Sequence, residues 1–309
     1  MKRLKSKRGG IFNFTDYKFD WMKVFYFVIF IFLFITVIIS IFPPLWLLLS
    51  SFKDTSEVLT SNFKLFPQSI ELRRIIDVWN QFDFGRFYLN SFLLVAGALV
   101  SSILFNGLLA YAVAVIKPRG YKVIDLLVMS TLMIPAIINI SPLYMNIVNL
   151  FNSLSNLFGT NVWNIPYFSY LPLWLIYGAN AYYYVLFRVY FSKIPTALFE
   201  AARIDGASNW QMFRHVLAPL SVPIISVVGI FTINAAWSDF LLPSLMTQIN
   251  QNEQPIMVKL YNMYANQMAQ VTLQERLMTI MFSIIPPIVL FAFFQKKIAE
   301  NVATTGLKE

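Results

Sequence analysis

The side chains that usually perform chemistry are scarce in this sequence. It has no cysteine and a single histidine, His215, so a thiolate or zinc centre and the common general-base arrangements are nearly excluded. No Gly-Lys dipeptide occurs, which removes the Gly-x-x-x-x-Gly-Lys-Ser/Thr cradle for a nucleotide phosphate. What remains is one hydrophilic stretch, Ser192 to His215, that is long enough to fold between apolar segments. Pro195 or Thr196 can start a helix there, Leu198, Ala201, Ala202 and Asp205 follow turn spacing, and Gly206 supplies a left-handed stop. Ser208 and Gln211 then form a capping box for a second helix, whose Trp210, Phe213 and Val216 lead directly into the next apolar segment. The chemistry this pattern suits is the docking of a partner at a membrane face, although a bare interfacial helix has the same local signals.

The elements that position this stretch follow from composition. In 309 residues, 58% are hydrophobic and 13% charged, with thirty phenylalanines, fifteen tyrosines and seven tryptophans. A soluble fold cannot hide that much apolar surface, whereas lipid accepts it. No charge falls between Lys23 and Lys53 or between Arg86 and Lys117, gaps of roughly thirty residues where a bilayer needs about twenty. From Leu126 to Phe187 a longer uncharged stretch is interrupted by a polar segment, Asn152 to Asn156 with Asn161 and Asn164, that reads as a turn between two spans. A fifth span runs from about Ala218 to Trp237 and a sixth from Leu277 to Phe294. The expected fold is all-α and polytopic: a six-helix membrane domain over residues 24–298, an N-terminal segment 1–23 and a tail 299–309.

Cations alternate between loops as the positive-inside rule requires. Lys2, Arg3, Lys5, Lys7 and Arg8 precede the first span, Lys117, Arg119 and Lys122 join the second and third, Arg188, Lys193, Arg203 and Arg214 join the fourth and fifth, and Lys296, Lys297 and Lys308 follow the sixth. Both termini and the 193–217 loop are therefore expected in the cytoplasm. No cleaved signal peptide is expected, because the first apolar run is far longer than a signal core and no small-x-small site closes it. Prolines at 43, 44, 135, 142, 172, 223, 286 and 287 are places where spans can kink.

Glu200-Ala-Ala-Arg-Ile-Asp-Gly206, with Pro219 thirteen residues beyond the glycine, resembles the EAA loop of permease subunits of binding-protein-dependent ABC importers. The likeness extends to the second permease of the maltose-type carbohydrate branch. It is carried by Pro44-Leu-Trp46 before Ser51-Phe-Lys53, Asn90-Ser91, Ala110-Tyr-Ala112, Met133-Ile-Pro135 with Pro142-Leu-Tyr144, and Trp237-Ser-Asp-Phe240 before Pro243. Ser238 stands where Asn is frequent, and the tail Thr304 to Lys308 matches the family's glycine-rich end only loosely.

The resemblance implies a type I importer permease fold in a bacterial plasma membrane. It implies a heterodimer with a sister permease, two ATPase subunits that carry ATP and Mg, and an extracytoplasmic solute-binding protein; no cofactor of this chain and no nucleic acid are implied. The loop would be a coupling helix seated in a groove of the ATPase. Ala201, Ala202, Gly206 and Ala207 would let it seat deeply, with Gly206 tightly packed. Glu200 would offer a carboxylate to a partner cation, and Arg203 and Asp205 would complete a polar rim. The loop between the last two spans, about Thr247 to Gln267 and including Glu253-Gln-Pro255, would reach the binding protein.

An ion-coupled secondary transporter is the main alternative, and it normally needs an ionisable group near the midplane. Asp239 is the one candidate the sequence offers, and a capping or packing role would account for it equally. For a sugar, aromatic faces and amides on Asn139, Tyr144, Asn180, Tyr182, Tyr183, Asn234 and Trp237 could line a path, or could serve as packing and interhelical hydrogen bonds.

Overall fold

The computed structural model describes residues 20–59, 64–68, 70–266 and 271–305. The expected N-terminal cations from Lys2 to Arg8, the loop end at Gln267 and Lys308 lie outside these residues. Every regular element among the described residues is helical. The chain divides into two compact units, residues 1–71 with 272–281, and residues 72–271 with 282–309.

In the first unit, α1 (Asp20–Ser50) runs unbroken through Pro43 and Pro44. It is apolar all round and its spanning window has no buried residue. Two of its hydroxyls bond within the helix, Thr36 to the Phe32 carbonyl and Ser40 to the Thr36 carbonyl, both at 2.8 Å, which satisfies them without water. After α2 (Thr55–Leu59), the buried Lys53 ammonium donates to the Lys64 carbonyl and ties the start of this loop down.

In the second unit, α3 (Leu72–Gln81) precedes α4 (Phe84–Ile116), the longest span of this unit. Two helices of 11 and 23 residues follow, α5 (Tyr121–Thr131) and α6 (Ala136–Phe158), which meet at 105°. Pro135 causes the break: it supplies no backbone donor and disfavours helical geometry in Ile134 before it. The expected turn over Asn152 to Asn164 is therefore only partly correct. Ser153 and Ser155 bond the carbonyls of Asn149 and Phe151 at 2.8 Å, so these polar residues continue α6, which stops at Gly159 with φ +67°.

The fourth expected span consists of α7 (Tyr170–Gly178) and α8 (Ala181–Ser192), of 9 and 12 residues. At 1.5 Å per residue neither crosses about 30 Å alone. α9 (Thr196–Ile204) and α10 (Asn209–Leu220) form the hydrophilic stretch, and α11 (Val222–Ser238) is the fifth span. α10 does not run directly into α11 as expected, because the two meet at 77° at Ser221. α12 (Leu241–Met246), α13 (Ile256–Asn266) and α14 (Leu273–Thr305) complete the chain. By length and apolarity three helices among the described residues can cross a membrane unaided, or up to five if each bent pair is one span, and the α7–α8 pair stands where the fourth span was expected.

α4 and α7 pack at unusually close range. The Trp174 indole donates to the Leu94 carbonyl at 3.1 Å, and a Cβ on Gly97 would lie 2.1 Å from that ring. Only glycine admits this approach. Trp237, on α11, is buried and donates to the Ser283 carbonyl at 3.1 Å, with Tyr88 and Phe92 packed on its ring.

Candidate functional site

The 192–215 stretch folds by its own caps. Pro195 precedes the first turn of α9, and the helix ends in two bonds that satisfy its last carbonyls: Gly206 N–H to the Arg203 carbonyl at 3.0 Å and Ala207 N–H to the Ala202 carbonyl at 2.9 Å. That paired closure needs a left-handed residue, and Gly206 supplies it with φ +79°. The capping box is present as read: Gln211 N–H donates to Ser208 Oγ at 3.3 Å, and Ser208 N–H to Gln211 Oε1 at 2.8 Å.

One residue of α9 anchors it. Phe199, 5% exposed, plugs a core of Tyr111, Val113, Phe191, Met212 and Leu217, a burial that contributes about 1.5–3 kcal/mol. Tyr111 adds a hydrogen bond to the Asn209 carbonyl at 3.0 Å and packs on Phe213, tying α4 to α10. The turn-spaced set read from the sequence is thus not the inward face: Leu198, Ala201 and Asp205 are exposed, and only Ala202 is partly buried. Glu200, Arg203 and Gly206 are also exposed, and Ala207 is partly buried.

The expectation of tight packing at Gly206 is not met within the chain, since a Cβ there would find no atom within 4 Å. Its constraint is backbone conformation. Between the helices, Ala202, Asp205, Gly206, Ala207, Gln211 and His215 line a depression of about 330 Å³. Two large apolar side chains stand out into solvent around it, Ile204 at 86% and Trp210 at 60% exposure, the latter stacked on Phe213. From the sequence, Trp210 is expected to lead toward the next apolar segment, and Ile204 falls outside the turn-spaced set. Small residues, charges and uncovered apolar side chains thus stand together on the exposed side of this stretch.

The residues considered for a substrate path scatter. Asn180 caps α8, its side-chain oxygen accepting from the backbone of Tyr182 and Tyr183 at 3.0 and 3.2 Å. Tyr182 is exposed and its ring meets Phe231, one turn from the exposed Asn234. Asn139 is exposed and Tyr144 half-buried on α6, while Trp237 is core. Asp239 caps α12 through Leu241 N–H at 2.9 Å and accepts from Tyr177 at 2.9 Å, so both oxygens are engaged. Asp125 on α5 was overlooked as a carboxylate within a spanning pair, and it forms an ion pair with Arg188 at 2.7 Å.

Also in the second unit, the α12–α13 connection is folded inward. Glu253, Gln254 and Pro255 are buried, so they anchor this loop and do not form its tip. Glu253 accepts from Tyr167 N–H at 2.9 Å, Ser169 Oγ at 3.2 Å and Asn250 at 2.6 Å. Asn90 donates to the Asn252 and Gln254 carbonyls at 2.8 and 3.0 Å, and Ser91 accepts from Ile256 N–H at 2.8 Å. Gln248, Ile249, Gln251 and Asn252 remain exposed.

A family profile described as binding-protein-dependent transport system inner membrane component matches residues 103–303, from mid-α4 almost to the end of α14. The chain belongs to this family. Among relatives of this permease, the diacetylchitobiose uptake system permease protein NgcG of Streptomyces coelicolor is 29% identical over 86% of this chain and 83% of its own length. The arabinooligosaccharides transport system permease protein AraQ of Halalkalibacterium halodurans is 29% identical over 87% of this chain and 92% of its own. A crystal structure of a bacterial ABC transporter involved in the import of the acidic polysaccharide alginate contains a chain that superposes with a TM-score of 0.74 at 21% identity, covering 93% of this chain and 99% of that one. This likeness establishes the fold, an importer-permease arrangement of helices with no strand among the described residues.

Proposed function

We propose that this permease is the second transmembrane subunit of an ABC importer for a sugar or oligosaccharide. A sister permease completes the path, an extracytoplasmic binding protein delivers the substrate, and two separate ATPase subunits, holding ATP and Mg, drive the cycle. The observation that carries the reading is the α9–α10 loop, a capped rigid helix anchored by Phe199 with Ala201, Ile204 and Glu200 turned outward. The names of NgcG and AraQ, a diacetylchitobiose and an arabinooligosaccharide permease, support the carbohydrate class. Engagement of both Asp239 oxygens disfavours an ion-coupled transporter. The exposed tip Gln251-Asn252 is the part of the α12–α13 loop suited to meet the binding protein.

Expressed with its partners, the chain should co-purify with a sister permease and two ATPase copies, and alone it should bind no ATP. Recovery of a homomeric chain that transports without any ATPase would overturn the importer assignment and favour a secondary transporter.

Both termini and the coupling loop are assigned to the cytoplasm by the cation-rich loops. On the cysteine-free background, single cysteines at Asn156 and Gln251 should react with an impermeant maleimide in intact cells, and those at Lys5, Arg119, Arg203 and Lys308 should not. Labelling at 119 or 203 without labelling at 156 would reverse the topology.

A further inference from the structure

Both oxygens of the Asp125 carboxylate are engaged. Oδ2 pairs with Arg188 Nη2 at 2.7 Å and Oδ1 accepts from the Tyr184 hydroxyl at 2.8 Å. Tyr184 is fully buried and the Asp125 side chain is 17% exposed. The helix that carries Asp125 is otherwise loosely held. α5 has no buried residue, its Ser130 and Thr131 hydroxyls turn back to the carbonyls of Leu127 and Val128, and Tyr121 and Val128 only partly cover the core. It then breaks from α6 at 105°.

Both partners of Asp125 sit on α8, which passes through Lys193, Ile194 and Pro195 directly into coupling helix α9. Between α5 and α9 lies a cavity of about 300 Å³, with Asp125, Arg188, Lys117 and Tyr121 on its walls together with Phe199, Glu200 and Arg203 of α9. A gap cannot transmit a push by packing. A partly buried ion pair with a third hydrogen bond can, because separating it would strand a charge in a low-dielectric setting.

We propose that the Asp125–Arg188–Tyr184 cluster is a latch that makes α5 follow the coupling helix, so that movement of α9 reaches the elbow between α5 and α6. This rests on the coupling role proposed for α9. Asp125, Arg188 and Tyr184 are positioning residues: the latch keeps α8 and α5 together while the loop moves against the ATPase.

The test uses the whole transporter in proteoliposomes, with uptake and ATP hydrolysis measured together. Asp125→Asn should retain the ATPase and its hydrolysis, while substrate moved per ATP falls at least tenfold; Arg188→Lys, which keeps a cation, should hold that ratio within about twofold of wild type. Spin labels at Lys122 on α5 and Ala197 on α9 should stay at a narrow separation through turnover in wild type and spread in Asp125→Asn. A simple packing role would not shift the uptake-to-hydrolysis ratio. If Asp125→Asn fails to insert, Tyr184→Phe decides: a ratio lowered several-fold supports the latch and a wild-type ratio overturns it. A coupled wild-type transporter with a wild-type ratio and narrow label separation in Asp125→Asn overturns the latch alone. A wild-type complex with no ATP-driven uptake overturns the importer reading and the latch with it.

Discussion

Glu200→Lys and Gly206→Val should each abolish ATP-dependent uptake while leaving the chain inserted in the membrane. The two act by different routes. Glu200 is exposed on α9, so its reversal adds no strain within the chain and acts on whatever meets it, turning attraction to a partner cation into repulsion. Gly206 has φ +79°, and a Cβ added there finds no atom within 4 Å, so the effect of valine does not begin with a clash at that carbon. It does force a β-branched residue into left-handed backbone at a cost of about 1–3 kcal/mol. The turn can escape that strain by giving up the Ala207-to-Ala202 and Gly206-to-Arg203 hydrogen bonds, which would swing Ile204 and the depression beside it out of register. Membrane-fraction yield, ATPase retention and uptake are the three readings. Both variants should match wild type in the first and fall below one-tenth of it in the last. Wild-type uptake in both, with the ATPase retained, would mean that this loop is not the coupling element.

Gly97→Leu should cost the chain its fold rather than its coupling. The position beside Trp174 has no room even for a methyl group, because an ideal Cβ would sit 2.1 Å from Cε2 and 2.2 Å from Nε1 of the indole. The ring cannot simply swing aside, since its N–H is bonded to the Leu94 carbonyl one turn earlier on α4. Overpacking of this kind costs about 1–3 kcal/mol, and an orphaned indole donor in a water-poor setting about 1–3 kcal/mol more. Gly97→Ala should already lower the thermal unfolding temperature in detergent, and Gly97→Leu should leave little monodisperse protein. Gly97→Leu with wild-type yield and melting temperature would show that α4 and α7 can separate at no cost.

Much of the architecture could be read directly from the residues because it is local. Charge-free gaps mark spans, and the Gly206 stop and the Ser208 and Gln211 pair fix the α9–α10 turn through bonds spanning a few positions. What escaped the reading was tertiary or depended on the solvent. Asn152 and Ser153 look like turn residues in water, yet α6 carries Asn152, Ser153 and Ser155 because the serine hydroxyls find backbone carbonyls of the same helix. The break at Ala179 and Asn180 has no proline to announce it; the signal is Asn180 itself, an N-cap residue inside an apolar run. Arg188 and Asp125 bound opposite ends of one uncharged stretch, and only the fold brings those ends together. Phe199 was passed over because turn spacing was counted from Leu198, one position away from the face that packs.

The inward fold of Glu253 has a consequence for the kinetics of any encounter at that surface. Its carboxylate holds the Asn250 side chain on one side of Gln251 and Asn252, and Asn90 and Ser91 hold the backbone from Asn252 to Ile256, before a partner arrives. A flexible loop would have to lose its freedom at the moment of contact, which slows productive collisions and weakens the complex. Here that ordering belongs to the folding of the chain, so association at the tip would be limited by how often two molecules meet in the right orientation. Substituting the buried carboxylate would then change the association rate for such a partner even though Glu253 never touches it.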